Sequence, residues 1–144
     1  MTRLLLDTSV LIKWLHSDGE KEVHEARAIR AAHTRGEVEA RIIDLALYEL
    51  GNVLLCSLRW PSEMVADQLD DILTVCGAPI SMTPDWLRQA TSLAGTHGLT
   101  FYDASWAAAA NALKVPLVTA DRRLLGAGLA ESPTAITRRL RLLG

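Results

Sequence analysis

At 144 residues, with 49% hydrophobic and 22% charged side chains, the chain has the size and composition of one globular domain spanning 1–144, which excludes disorder, collagen-like repeats and disulfide scaffolds. Fifteen Lys plus Arg against seventeen Asp plus Glu leave a formal charge of -2, so bulk charge does not draw the chain onto nucleic acid, and a phosphate-binding function needs a local device. Apolar runs fall short of the roughly 20 residues that span a bilayer, and Leu4-Leu5-Leu6 meets Asp7 too early for a secretory signal, so a soluble cytoplasmic protein without membrane contact is expected.

Arg3 to Leu6 is a nearly continuous apolar run and predicts a strand buried on both faces. Val10 to Leu15 continues as helix up to the break at Ser17-Asp18-Gly19, and Glu20 to about Thr34 reads as a solvent-facing helix with Val23, Ala26 and Ile29 at helical intervals. Ala40 to Ile43, with two adjacent β-branched residues, predicts a second strand. Asp44 then suits an N-cap for a helix carrying Leu47, Leu50, Leu54 and Leu58 as far as Trp60-Pro61. A further helix begins at Ser62 and is broken by Gly77 and Pro79, and Ile80 to Met82 reads as a short third strand. Thr83-Pro84-Asp85 combines a cap, a first-turn proline and a first-turn acid, predicting a helix to about Thr96. The alanine-rich stretch Tyr102 to Leu113 has high helix propensity, Pro116 to Thr119 reads as a fourth strand, and Asp121 to Leu125 starts a last turn before a basic stretch at Thr137 to Leu143. Strands alternating with helices give an α/β class with a parallel sheet wrapped by helices. Cys56 and Cys76 fall inside helical stretches without metal-ligand spacing and read as buried reduced thiols.

In such sheets ligands gather beyond the carboxyl ends of the strands. Four acids meet that positional test: Asp7 ends the first strand, Glu49 lies just over one turn into the helix after the second, Asp103 opens the alanine-rich helix and Asp121 follows the fourth strand. Carboxylates brought together without a cation repel and raise one another's pKa, and a divalent ion removes the conflict. All-oxygen donors without His or Cys suit Mg²⁺, with Mn²⁺ as a substitute, and point to phosphodiester hydrolysis. Each acid also has a structural reading. Asp7, Asp103 and Asp121 can cap or complement the helices that follow them, whereas Glu49, between Tyr48 and Leu50, gains nothing from capping.

Asp7-Thr8-Ser9, Tyr48-Glu49-Leu50-Gly51-Asn52, Leu99 to Ala109 around Tyr102-Asp103, and Val118-Thr119-Ala120-Asp121 together resemble the successive motifs of PIN-domain nucleases, most closely the VapC toxins of bacterial type II toxin-antitoxin modules. The resemblance spans almost the whole chain and implies a three-layer α/β/α sandwich. It implies a Mg²⁺-dependent endoribonuclease acting on RNA, with Asp7, Glu49, Asp103 and Asp121 as metal-binding and catalytic acids. Thr8, Ser9 and Thr119 would orient ligands or the attacking water, and Asn52 would lie near the site, although each of the four also has an ordinary capping or structural role. It further implies a homodimer and a cognate antitoxin whose C-terminal segment covers a groove near the site, for which Trp14 and Trp60 are candidates.

Other readings compete. An aspartyl-phosphate phosphatase would want a second Asp two positions after Asp7, where Ser9 stands. A phosphate-receiving or RNA-binding regulatory domain that holds metal without hydrolysis lacks the paired acids and the lysine such a site uses, since Arg122 follows Asp121. Trp14, Trp60, Trp86 and Trp106 each admit a core or an interface reading, and His16, His24, His33 and His97 read as surface residues. The arginines Arg122, Arg123, Arg138, Arg139 and Arg141 form either a solvated face or an RNA-backbone contact.

Overall fold

The computed structural model describes residues 1–143. Strand β1 (Thr2–Leu6) lies at the centre of a three-stranded parallel sheet, paired on one side with β2 (Val38–Arg41) and on the other with β3 (Leu117–Val118). Its central position explains its composition: Leu4, Leu5 and Leu6 are fully buried on both faces, as a strand covered by helices on each side must be. Truncating one of them to Ala would cost about 2–5 kcal/mol through lost transfer energy and the cavity left behind.

Helices α1 (Thr8–Leu15) and α2 (Val23–Thr34) connect β1 to β2. Helices α3 (Leu45–Asn52), α4 (Ser62–Cys76), α5 (Pro84–His97) and α6 (Phe101–Leu113) fill the connection to β3. Short helices α7 (Arg122–Gly126) and α8 (Pro133–Arg139) follow, α8 packing against α2. The alanines of α6 from Ala104 to Ala110 are buried, and their small side chains let α6 lie close against α5. This is the expected α/β architecture, with the sheet enclosed by helices.

Several local expectations are corrected. Ile80 to Met82 is no strand: Ile80 makes one parallel bridge to Ile43, donating to Ile42 O at 2.8 Å, between Pro79, which has no N–H to give, and the α5 cap at Thr83. The second strand runs two residues earlier than expected, over Val38–Arg41. Asp44 has helical dihedrals and makes no capping bond, so α3 starts without a side-chain cap. That helix gives way to a π-helical turn at Val53–Ser57, where Leu58 N–H reaches Val53 O at 3.0 Å. Cys56, inside this turn, is exposed rather than buried: two residues past the buried Leu54, it faces away from the core. Cys76 is buried, and desolvation pushes its thiol up to about 11. Helix α2 begins at Val23 rather than Glu20, because Glu20 turns back to pair with Lys13 and Glu22 adopts a left-handed conformation. His33 is not a free surface residue either: its ring bridges Val75 O at 2.6 Å and Ala40 N–H at 3.0 Å, tying α2 to α4 and β2.

Candidate active site

The acid after β1 is where the local sequence and the tertiary structure meet. Asp7 leaves the strand extended and caps α1, its Oδ1 accepting Ser9 N–H at 2.9 Å. Two hydroxyls from different parts of the chain close on the same carboxylate. Ser9 Oγ donates to Oδ1 and Thr119 Oγ1 donates to Oδ2. Each hydroxyl accepts in turn from the segment leaving β3: Ala120 N–H reaches Ser9 Oγ at 2.8 Å and Asp121 N–H reaches Thr119 Oγ1 at 3.0 Å. Asp7 is thus fixed to the backbone that carries Asp121. With only 4% of its surface exposed, the carboxyl is pushed by desolvation from 3.8 up to about 6; the hydrogen bonds from Ser9 and Thr119 pull it down in part, and the nearby Glu49 adds to the rise.

Asp121 caps α7, its Oδ1 accepting from Arg123 N–H at 2.8 Å and Leu124 N–H at 3.2 Å. Glu49, on α3, is held by Thr8 Oγ1 at 2.8 Å and by the Trp106 indole N–H at 3.2 Å, both on Oε1. Asp103 sits in the first turn of α6 rather than at its cap, a role taken by Thr100, whose Oγ1 accepts Asp103 N–H at 3.1 Å. Its carboxyl is raised first by desolvation and then by the charge of Asp121; the hydrogen bond with Thr100 pulls it down in part, Glu49 adds to the rise and Arg123 opposes it least. The four acids therefore share one electrostatic field at the ends of β1 and β3. Among the described residues no three His, Cys, Asp or Glu side chains converge into a ready-made metal cage. Glu49 and Asp121 each commit a single oxygen to the protein, leaving Oε2 and Oδ2 for another ligand, and an all-oxygen donor set with mutual repulsion fits a hard divalent cation.

Of the supporting residues, Thr8, Ser9 and Thr119 are joined to the acids as described. Asn52 is not: it is exposed, and its Oδ1 accepts from Cys56 Sγ at 3.3 Å. Trp14 is corrected as well, being buried with its indole N–H on Ala26 O at 2.8 Å, so it lines no open groove. Trp106 was not among the expected site residues. Its position 57 residues from Glu49 leaves no local signal of their bond, beyond lying one turn after Asp103.

The PIN-domain family model matches residues 4–128, which takes in all four acids and their supporting hydroxyls. The chain belongs to the PIN-domain family. Among solved structures, the PAE2754 protein of Pyrobaculum aerophilum is similar at 26% identity with a TM-score of 0.69, the match covering 97% of each chain. No protein of curated function matches the sequence. PIN domains are generally nucleases that act on RNA or DNA and typically use divalent metal ions. The described helices include none long and apolar enough to cross a membrane.

Proposed function

We propose that this PIN domain is a Mg²⁺-dependent endoribonuclease, with Mn²⁺ as a substitute, and that it is the toxin of a type II toxin-antitoxin module. The observation that carries the nuclease reading is the clamped Asp7. A carboxylate buried and pushed up to about 6, with Glu49 adding to the rise, carries its negative charge at a cost that a cation at hand would offset. Asp7, Glu49, Asp103 and Asp121 would hold the ion. When bound, it supplies positive charge to the phosphodiester and a water of lowered pKa. The chain's own contribution is positional: Ser9 and Thr119 fix Asp7, Thr8 and Trp106 fix Glu49, and the α7 cap fixes Asp121.

Support for a homodimer comes from the aromatics. Both tyrosines and the single phenylalanine of the chain are exposed: Tyr48 at 73%, Tyr102 at 61% and Phe101 at 44%. With Met82 and Leu87 they line one groove of about 190 Å³, an apolar surface that suits a second copy of the chain. For the antitoxin, Trp60 remains the candidate groove residue, half-buried and edge-on to His16 at 6.5 Å, with Leu55 and Met64 exposed on the segments either side of it in sequence.

The test is cleavage of RNA by the purified protein with Mg²⁺, with Mn²⁺ and with EDTA, alongside Asp103→Asn. Metal-dependent cleavage lost in the variant is expected; undiminished cleavage by Asp103→Asn in EDTA overturns the reading. Growth arrest on induction, relieved by co-expression of a short open reading frame lying upstream, is the expected sign of the toxin role.

A further inference from the structure

Beside Asp121 a second, polar cleft of about 370 Å³ opens between α1, the loop before α2 and the start of α7. Ala120 and Arg122, the two neighbours of Asp121, form one wall, and Lys13, Glu20, Lys21 and Glu22 contribute to the other. Ala120 N–H bonds to Ser9 Oγ, so the cleft starts at the peptide that ties the β3 end to Asp7. Its two acids are already engaged. Glu20 pairs with the buried Lys13 at 3.0 Å, and Glu22 Oε2 accepts from Thr134 N–H at 2.9 Å and Thr134 Oγ1 at 2.6 Å. Lys21 and Arg122 are exposed and form no ion pair among the described residues, unlike Arg3, Arg35, Arg41 and Arg139, each of which lies against a glutamate. Lys13 offsets Glu20, and Lys21 with Arg122 outnumbers the hydrogen-bonded Glu22, so the cleft lining carries a small net positive charge in a chain whose total is -2.

We infer that this cleft is the backbone subsite of the nuclease, in which Lys21 and Arg122 take phosphates of the RNA strand flanking the scissile bond. The inference rests on the nuclease reading for its substrate class. Phosphate contacts of this kind position a strand without reading its sequence, and each releases counterions when it forms. The two contacts differ in kind: Arg122 presents a planar fork to phosphate oxygens, and Lys21 a point charge on a flexible stem.

The test measures binding without turnover. Anisotropy titrations of a labelled single-stranded RNA oligonucleotide with the Asp103→Asn protein, from 50 to 200 mM KCl, give the slope of log affinity against log salt. Lys21→Ala and Arg122→Ala should each weaken binding several-fold for every RNA sequence and reduce the slope by about 0.7, the value of one phosphate on a single strand. Arg122→Lys should keep the slope, and Lys114→Ala, an exposed cation at the C-terminal end of α6, should change neither quantity. Unchanged slopes in both alanine variants, with their melting temperatures intact, overturn the subsite, as does a protein whose RNA affinity is independent of salt. Cleavage by the wild-type protein is scored separately. Cleavage with unchanged slopes sinks the subsite alone, and shifted slopes without cleavage sink the nuclease reading while leaving a nucleic-acid site.

Discussion

Glu37 and Glu131 sit at the edges of the fold, each against an arginine: Arg35 Nε is 2.8 Å from Glu37 Oε1, and Arg139 grips both oxygens of Glu131 at 2.7 and 3.0 Å. Asp7 at the end of β1 and Asp103 in the first turn of α6 have hydroxyls, amides and other carboxylates around them, with Arg123 as the smallest of the effects on Asp103 and no arginine among the described residues acting on Asp7. The consequences run in opposite directions. Arg35 holds the Glu37 carboxyl below its usual range, whereas desolvation and neighbouring acids hold Asp7 and Asp103 above theirs. Asp7, the most buried acid, has no ion-pair partner among the described residues, and on the proposed nuclease reading a bound cation would take that place.

The sharpest way to break that contrast is to remove the charge from the buried acid. Asp7→Asn should reduce metal-dependent cleavage by more than about a hundredfold, because even residues one step removed from a metal cost 10–100-fold. The metal-free variant should nevertheless be as stable as the wild type at pH 8, or more so. Melting curves and cleavage rates on the same preparations check this; a variant that both melts much earlier and cleaves normally would mean that Asp7 is a structural cap and nothing more.

The pH dependence follows from the same group. Its folded pKa of about 6 lies above the ordinary 3.8, so the protonated form is favoured by folding. That contribution is fully present below 3.8 and is lost as pH rises through about 6, at a cost of about 3 kcal/mol when Asp7 is fully ionised. Metal-free protein should therefore lose stability between pH 4 and pH 7 by an amount that Asp7→Asn abolishes. Adding Mg²⁺ should raise the melting temperature at pH 8 far more than at pH 5. Equal stabilisation at both values would show that the ion does not bind the ionised cluster.

Much of this site was legible because its signals are local. A buried apolar strand that ends in an acid, followed by a helix, marks Asp7 and Asp121 within a few residues of sequence, and the alanine-rich run marks the helix that Asp103 opens, although its cap at Thr100 was missed. The clamp was only partly legible. Ser9 beside Asp7 is local, but Thr119 reaches Asp7 across 112 residues and Trp106 reaches Glu49 across 57, so sheet register and helix packing decide both contacts. The misread segments share another cause. Ile80 has the apolar character of a strand beside a proline that cannot extend one, Cys56 is apolar but faces away from the buried stripe of Leu50 and Leu54, and His33 looks polar in sequence while its ring bridges two backbone groups on other elements.

A smaller effect separates positioning from ligation. Thr8→Val removes the hydroxyl that holds Glu49 and leaves a helix-start residue of nearly the same shape. Loss of one partly buried hydrogen bond should cost about 1 kcal/mol of stability, while the freed Glu49 should lower cleavage by about 10–100-fold. Thr8→Ser, which keeps the donor, should restore most of the rate. If Thr8→Val cleaves like the wild type, Trp106 alone suffices to hold Glu49.

The other side of the comparison gives the smallest change and tests whether its ion pairs are as ordinary as they look. Glu37→Gln breaks a bidentate contact with Arg35, but both side chains are about half exposed and already solvated. The attraction lost is one that water and salt largely screen, and two long side chains regain rotamer freedom when it goes. Melting temperature and metal-dependent cleavage should both stay within error of the wild type at 150 mM salt. A clear loss of cleavage in Glu37→Gln would mean that charge at the fold's edge reaches the strand-end acids, and the division between paired and cation-seeking carboxylates would have to be redrawn.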